Sequence, residues 1–93
     1  MIGFEWDPVK AKANKAKHRV AFEDAATAFL DPRRILDIDE TERDEERWWT
    51  IGLAGSRLLF VVYTERDNDV IRIISARKAT KPEERNYFGQ AAP

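Results

Sequence analysis

The C-terminal half of the chain carries three apolar stretches that predict three consecutive β-strands. They are residues 47–53 (RWWTIGL), 57–65 (RLLFVVYTE) and 70–80 (VIRIISARKAT), and they are rich in β-branched and aromatic residues. Short turn-forming stretches at 54–56 (AGS) and 67–69 (DND) join them, so we predict an antiparallel meander. The middle stretch is apolar on both faces, which predicts that it is the central strand.

A helical pattern begins near the N-terminus. Asp7 and Pro8 are typical of a helix start, because aspartate accepts hydrogen bonds from the free amides and proline suits the first turn. The helix is predicted to end at His18 and Arg19. Within this helix, residues at i, i+4, i+7 spacing form two stripes along its surface. One stripe is apolar and consists of Val9, Ala13 and Ala16, and the other is polar and consists of Lys10, Asn14 and Lys17.

Residues 21–30 predict a second helix, which Asp31 and Pro32 end. Its apolar spacing predicts a core-facing side made of Phe22, Ala25, Ala26 and Phe29. Residues 3–6 predict a short first strand, and residues 34–40 predict an edge strand because charged residues interrupt its apolar positions.

A last helix begins at Thr80, where T-K-P-E forms a capping box with Glu83. It includes Tyr87 and Phe88 and ends at Gly89, and we expect Phe88 to pack between the helix and the sheet. The predicted fold class is therefore α+β, with two N-terminal helices, an antiparallel sheet of about four strands and a C-terminal helix.

Two arginines interrupt the third strand. Regular alternation places Arg72 on one face and Arg77 on the other. A guanidinium inside a core strand is costly unless an anionic group meets it. That group is either a carboxylate of this chain or the phosphate of a ligand, and the pattern leaves both explanations open.

Composition narrows the class of protein. The chain has 93 residues, 43% of them hydrophobic, which predicts one domain spanning residues 1–93. It has no cysteine, so a disulfide framework or a thiolate metal site is excluded. It has neither an apolar run of membrane-spanning length nor a signal-peptide pattern, so we expect a soluble cytoplasmic protein without a membrane partner.

The charge is segregated although the net charge is only −1. Residues 8–19 contain five basic residues, lysines and arginines, and no acidic residue. Residues 71–93 contain five basic residues and two acidic residues. Between them, residues 37–46 carry seven acids against one arginine, and we expect a loop from about residue 40. Basic segments that the fold brings together attract polyanions even when the whole chain is nearly neutral.

Five segments together resemble the BrnT family of toxins from type II toxin–antitoxin systems, whose fold is related to that of RelE-type ribonucleases. The segments are FEWDPVKAKANKAKH, VAFEDAATAFLDP, RWWTIGL, LLFVVYTE and IRIISARKATKPEERNYF. They run in the family's order from Phe4 to Phe88. The resemblance implies a ribonuclease that cleaves RNA without a metal or cofactor and inhibits translation. It also implies a BrnA-type ribbon-helix-helix antitoxin as partner, with DNA bound only through the toxin–antitoxin complex.

RNA cleavage of this kind needs a base for the ribose 2′-hydroxyl, cationic donors for the phosphorane and an acid for the leaving oxygen. With the resemblance as guide, we assign His18 as the acid or base, since imidazole titrates nearest neutral pH, and Arg72 or Arg77 as the cationic donor. The residues expected to bind RNA are Lys10, Lys17, Lys78, Arg85 and Tyr87.

The sequence departs from the family pattern beside His18. Family members commonly have glycine where this chain has Arg19, and a serine cap where it has Ala21. Glycine suits a left-handed helix end, so Arg19 must adopt a less favourable conformation or the helix must end differently. A catalytically degenerate antitoxin-binding module, active only in a DNA-binding complex, is therefore an alternative. A plain structural domain with internally paired arginines is another.

Overall fold

The computed structural model describes residues 2–40 and 46–90, which form a five-stranded sheet and three helices. The elements in chain order are β1 (Gly3–Glu5), α1 (Pro8–His18), α2 (Phe22–Ala28), β2 (Ile35–Asp39), β3 (Arg47–Ala54), β4 (Arg57–Arg66), β5 (Val70–Lys78) and α3 (Lys81–Phe88). The strand order is β1-β5-β4-β3-β2, so the predicted α+β class is confirmed. The predicted loop after residue 40 lies mostly outside the described residues, since 41–45 are not among them.

The meander is confirmed. β3, β4 and β5 are joined by two tight turns and pair antiparallel, with β4 at the centre of the sheet. Gly55 has a φ of 63° in the first turn, which suits glycine. Gly52 does not interrupt β3. A Cβ at Gly52 would lie 2.6 Å from the carbonyl oxygen of Ala28, so this glycine lets α2 approach the sheet closely.

The expectation of a purely antiparallel sheet is wrong, because the first strand pairs parallel to the last. β1 lies beside β5, with Gly3 opposite Val70 and Glu5 opposite Arg72. This pairing joins the two ends of the chain, and no local pattern in the sequence indicates it. β1 covers only the first three residues of β5, so the edge of β5 is open to another element beyond Arg72.

The helix α2 lies on one face of the sheet, and α1 packs against β5 at the edge of the sheet. The buried residues of α2 include Phe22, Ala25 and Ala28, and Phe29 follows them into a core shared with Leu59 and other residues of the strands. Ala26 packs against that core and is partly buried. The predicted apolar face of the second helix is therefore confirmed.

The apolar stripe predicted for the first helix is wrong. Val9 is 77% exposed, and Ala13 and Ala16 are also exposed. The buried residue of α1 is Asn14, which is only 8% exposed. The reason is that α1 packs on a strand edge, where unpaired backbone groups require a polar partner rather than an apolar surface.

The capping box of α3 is confirmed, with Thr80 and Glu83 each accepting a hydrogen bond from the other's backbone amide. The expectation for the aromatic pair on this helix is wrong. Phe88 is 63% exposed, whereas Tyr87 is buried at 3% exposure and makes the contacts with the rest of the fold. Within the described residues, no helix is long and apolar enough to cross a membrane.

Candidate functional site

A β-bulge in β5 determines which side chains share a face of the sheet. Val62 of β4 pairs with Ser75, but the next residue of β4, Tyr63, pairs with Ile73. Ile74 is therefore an extra residue, and alternation along β5 shifts by one at this point. Ile73 lies before the bulge and Ala76 after it, yet both are buried in the same core.

The bulge places Arg72 and Arg77 on the same face of the sheet, opposite α2. Arg72 pairs with Thr64 and Arg77 with Phe60, and these two β4 residues alternate with the core residues of that strand. The prediction that the arginines lie on opposite faces is wrong, because it assumed unbroken alternation. No pattern in the apolar run VIRIIS marks the extra residue.

Both arginines have a carboxylate partner within the chain. Arg72 Nη1 lies 2.6 Å from Glu5 Oε2 across the β1–β5 pair. Arg77 donates to both carboxylate oxygens of Glu83 at 2.7 and 2.9 Å, and also to the Lys78 carbonyl oxygen at 3.2 Å. A guanidinium has five N–H groups. Arg72 therefore keeps most of its donors, whereas Arg77 uses most of its own.

The carboxylate of Glu83 is held at the junction of β5 and α3. Burial raises the pKa of Glu83, but hydrogen bonds from Arg77 and Thr80 outweigh this effect, and the pKa lies below its ordinary value. Arg77 also lies over the ring of Phe60, with the guanidinium carbon 4.1 Å from the ring centroid. Phe60 in turn stacks with Trp49 at a centroid distance of 5.7 Å and an interplanar angle of 23°.

The side chain of Asn14 connects α1 to the open edge of β5 through hydrogen bonds. Its Nδ2 donates to the carbonyl oxygens of Ala76 at 2.9 Å and Val20 at 3.0 Å, and its Oδ1 accepts from the Ala76 amide at 3.1 Å. One buried amide thus pairs with both backbone groups of a strand residue, as a neighbouring strand would. The same contact fixes the rotation of α1, and it turns Lys10 and Lys17 toward one side.

The C-terminus of α1 ends in the conformation expected of glycine although the residue is arginine. Arg19 has φ 58° and ψ 33°, and its amide donates to the Lys15 carbonyl oxygen at 2.9 Å. Arg57 donates to the Arg19 carbonyl oxygen at 3.0 Å and pairs with Asp24. The less favourable conformation predicted for Arg19 is therefore confirmed, and α1 continues to His18 despite it.

An open cleft of about 340 Å³ lies between α1 and the bulge of β5. It is lined by Lys10, Ala13, Asn14, Lys17, His18, Arg47, Ile74 and Ser75. Four of these residues are basic and none is acidic. The structure thus brings three predicted residues, Lys10, Lys17 and His18, around one concave surface with positive charge.

The remaining predicted residues lie outside the lining of the cleft. Arg72 and Arg77 flank it, each two residues from the nearest lining residue of β5. Lys78 is exposed at the end of β5, and Arg85 is exposed on α3. Tyr87 is buried, and such burial argues against stacking between its ring and an RNA base.

Tyr87 instead closes a buried polar contact. Its hydroxyl donates to Asp31 Oδ2 at 2.5 Å, and the Leu53 amide donates to the same oxygen at 2.8 Å. Burial and then the hydrogen bond to Asp31 raise the pKa of Tyr87 to about 12. Burial also acts to raise the pKa of Asp31, but hydrogen bonds from Tyr87, Leu53 and Arg33 lower it below its ordinary value.

Sequence reasoning missed Arg47, Ser75 and the anchoring role of Asn14. Arg47 begins a predicted strand and carries the charge expected of a strand end, so nothing singled it out. Ser75 faces the cleft only because of the bulge. A signal for Asn14 was present, since asparagine is a poor helix former and its place in the middle of a helix calls for a partner.

The sequence matches the family described as ribonuclease toxin, BrnT, of type II toxin–antitoxin system, over residues 6–83. The chain belongs to the BrnT toxin family. A crystal structure of the Brucella abortus ribonuclease toxin BrnT is similar to it, with a TM-score of 0.66 and 26% sequence identity. That similarity covers 87% of this chain and 100% of the other. A search of curated protein sequences found no significant match.

The resemblance to the BrnT family inferred from the sequence is therefore confirmed. The matched residues 6–83 include α1, β5 and every residue that lines the cleft, whereas Arg85 and Tyr87 lie beyond them. The chain is thus a ribonuclease toxin of the BrnT family, from a type II toxin–antitoxin system.

Proposed function

We propose that this toxin is an endoribonuclease that cleaves cytoplasmic RNA in the cleft between α1 and β5 and thereby inhibits translation. One observation carries the proposal. Lys10, Lys17, His18 and Arg47 line a single cleft, and none of the described residues that line it is acidic. Such a surface attracts the RNA backbone and stabilises the additional negative charge that develops on a phosphate during cleavage.

His18 is the proton-transfer group of the proposed reaction. The ribose 2′-hydroxyl loses its proton and attacks the adjacent phosphorus, the bond from phosphorus to the 5′-oxygen breaks, and the leaving oxygen gains a proton. The products are a 2′,3′-cyclic phosphate and a 5′-hydroxyl. His18 takes up the first proton or supplies the second, and the lysines hold the phosphate oxygens. We propose that the reaction needs no metal ion, because the lysines and arginines supply the positive charge that would otherwise come from one.

Arg72 is the better phosphate donor of the two strand arginines. Its partner among the described residues is Glu5, which it contacts through one nitrogen, and its side chain is 31% exposed, so most of its N–H groups are available to a phosphate. Arg77 would have to break its two hydrogen bonds to Glu83 before it could bind a phosphate through two N–H groups. We propose that Arg77 contributes positive charge and a fixed side chain, and that Lys78 and Arg85 contact the RNA backbone further from the cleft.

We propose that a BrnA-type ribbon-helix-helix antitoxin neutralises the toxin and that the pair, rather than the toxin alone, binds operator DNA. Membership in a type II toxin–antitoxin family supports an antitoxin partner. The basic cleft supports a neutralising contact through acidic residues of that partner. Co-purification from the native host tests this, and recovery of the toxin without a small partner protein would contradict it.

Cleavage of a defined single-stranded RNA by the purified toxin, with EDTA present, tests the catalytic proposal. We expect His18→Ala and Arg72→Ala to reduce the rate about 10²–10³-fold, as removal of one transition-state donor does. We expect Lys12→Ala to have little effect, because Lys12 is exposed on α1 and does not line the cleft. If His18 moves a proton, one limb of the pH–rate profile is lost in the His18 variant.

Two further controls separate catalysis from folding. Glu5→Gln breaks the ion pair of Arg72 but leaves the arginine in place, so we expect it to retain cleavage. If Arg72→Ala and Glu5→Gln lose activity and stability together, Arg72 is structural. If the wild-type toxin cleaves no RNA but binds its antitoxin and the complex binds DNA, the chain is the degenerate binding module instead.

A further inference from the structure

We infer that Trp49 is a stacking platform for a base of the RNA whose phosphate lies in the cleft. The inference rests on the proposed function and names a subsite beside the reacting groups. Trp49 lies on the face of the sheet opposite α2 and is half-buried. Within the described residues, Phe60 is the aromatic ring that contacts it.

The platform is continuous with the cleft. Trp49 pairs with Val62 on β4, and Val62 pairs with Ser75 on β5, which lines the cleft. These three residues form one row across three strands, so the backbones of Trp49 and Ser75 are about two strand spacings apart, roughly 10 Å. Arg47, two residues before Trp49 on β3, also lines the cleft.

A chain of contacts holds the Trp49 ring in place. Glu83 fixes Arg77 through two hydrogen bonds, Arg77 lies over Phe60, and Phe60 stacks with Trp49. A ring held in this way loses little conformational entropy when a base stacks on it. This arrangement also gives Arg77 a function that needs no release of Glu83.

Charge and chemistry favour single-stranded RNA as the occupant. Basic residues line the cleft at the end of this row, as they do where proteins bind single-stranded nucleic acids through phosphate contacts and base stacking. Asp37 of β2 lies opposite Trp49 on the same face, so the phosphates are expected on the side of the cleft and the base on the ring. The neighbouring Trp48 points to the other face and packs against the core, away from the row that joins Trp49 to the cleft. It therefore provides a matched control on the same strand.

The probe is a short single-stranded DNA, which lacks the 2′-hydroxyl and is not cleaved by the proposed reaction. Fluorescence is measured in Trp6→Phe/Trp48→Phe, which retains Trp49, and in Trp6→Phe/Trp49→Phe, which retains Trp48. We expect the DNA to quench Trp49 and to leave Trp48 nearly unchanged. Absence of quenching at Trp49 under conditions where the DNA binds would overturn the inference.

Affinity provides a second measurement. We expect Trp49→Ala to weaken binding of the DNA about 5- to 150-fold, and Trp49→Phe to weaken it less, because phenylalanine keeps a ring. The slope of affinity against salt should stay the same, because no charge is removed, whereas Lys17→Ala should reduce it. An unchanged affinity in folded Trp49→Ala would show that no base stacks there.

Cleavage by the wild-type toxin distinguishes failure of this inference from failure of the proposed function. If the toxin cleaves RNA but Trp49 is not quenched, the inference alone is wrong. If Trp49 is quenched but no RNA is cleaved, the stacking site stands and the catalytic proposal fails. If the antitoxin quenches Trp49 and the nucleic acid does not, this face is a protein interface and the inference is wrong.

Discussion

Replacing Asn14 by alanine should detach α1 from the sheet edge at a large cost in stability. The substitution removes three hydrogen bonds, to Val20 O, Ala76 O and Ala76 N, from a site that is 8% exposed. Each bond contributes about 1 kcal/mol net, so we expect a loss of about 3 kcal/mol. That is a substantial part of the roughly 5–15 kcal/mol by which a domain is stable.

Urea denaturation of the Asn14→Ala variant measures this loss, and thermal denaturation should show a decrease in Tm of about 12–24 °C for a domain of this size. Asn86→Ala is the matched control. Asn86 also lies in a helix but is exposed, so both variants gain the same helix propensity and differ only in the buried contacts. We expect the control to change stability by less than about 0.5 kcal/mol.

Amide exchange at Ala76 tests the same contact directly. The Ala76 amide donates to the Asn14 side chain, so its protection in the native protein depends on this bond. We expect exchange at Ala76 to accelerate in Asn14→Ala. Equal stability of the Asn14 and Asn86 variants, together with unchanged exchange at Ala76, would refute the view that this amide holds the helix.

Two further variants test the helix end and the buried tyrosine. Arg19→Gly should raise the free energy of unfolding by about 0.5–1 kcal/mol in urea, because glycine relieves the positive φ but also gains freedom in the unfolded chain; a loss would mean that the arginine side chain is stabilising. Tyr87 has a pKa raised to about 12, so its contribution is fully present below the ordinary value of 10.0 and is lost as the pH rises toward 12. Tyr87→Phe should therefore be less stable at neutral pH and show a smaller loss of stability between these two pH values. A wild-type loss equal to that of Tyr87→Phe across this range would contradict the assignment.

The parts of the fold that were predictable are those set by neighbours in sequence. The apolar spacing of α2, the turns of the meander and the Thr80–Glu83 capping box all involve residues a few positions apart. The parallel pairing of β1 with β5 joins residues about 67 apart, such as Glu5 and Arg72, and no local pattern encodes it.

The sequence predicted several residues of the candidate site correctly as neighbours, but it did not predict how the site residues are arranged on the sheet. Lys10, Lys17 and His18 share a helix, and the structure places all three at one cleft. The face of Arg77 could not be predicted, because one extra residue in β5 reverses the alternation. The burial of Tyr87 rather than Phe88 likewise depends on Asp31, which the sequence placed only at the end of another helix.

The bulge in β5 also has a consequence for insertions and deletions. Arg72 and Arg77 are five positions apart, a spacing that places two residues on opposite faces of a regular strand. Deleting Ile74 would leave them four positions apart, so a regular strand would then place both on the face that they share now. Ala76 would keep its position beside Asn14 and Arg77 its position beside Glu83, so the contacts of α1 and α3 with β5 should survive this deletion. A deletion of a paired residue of β5 that left the bulge in place would instead move the residues after it to the opposite face.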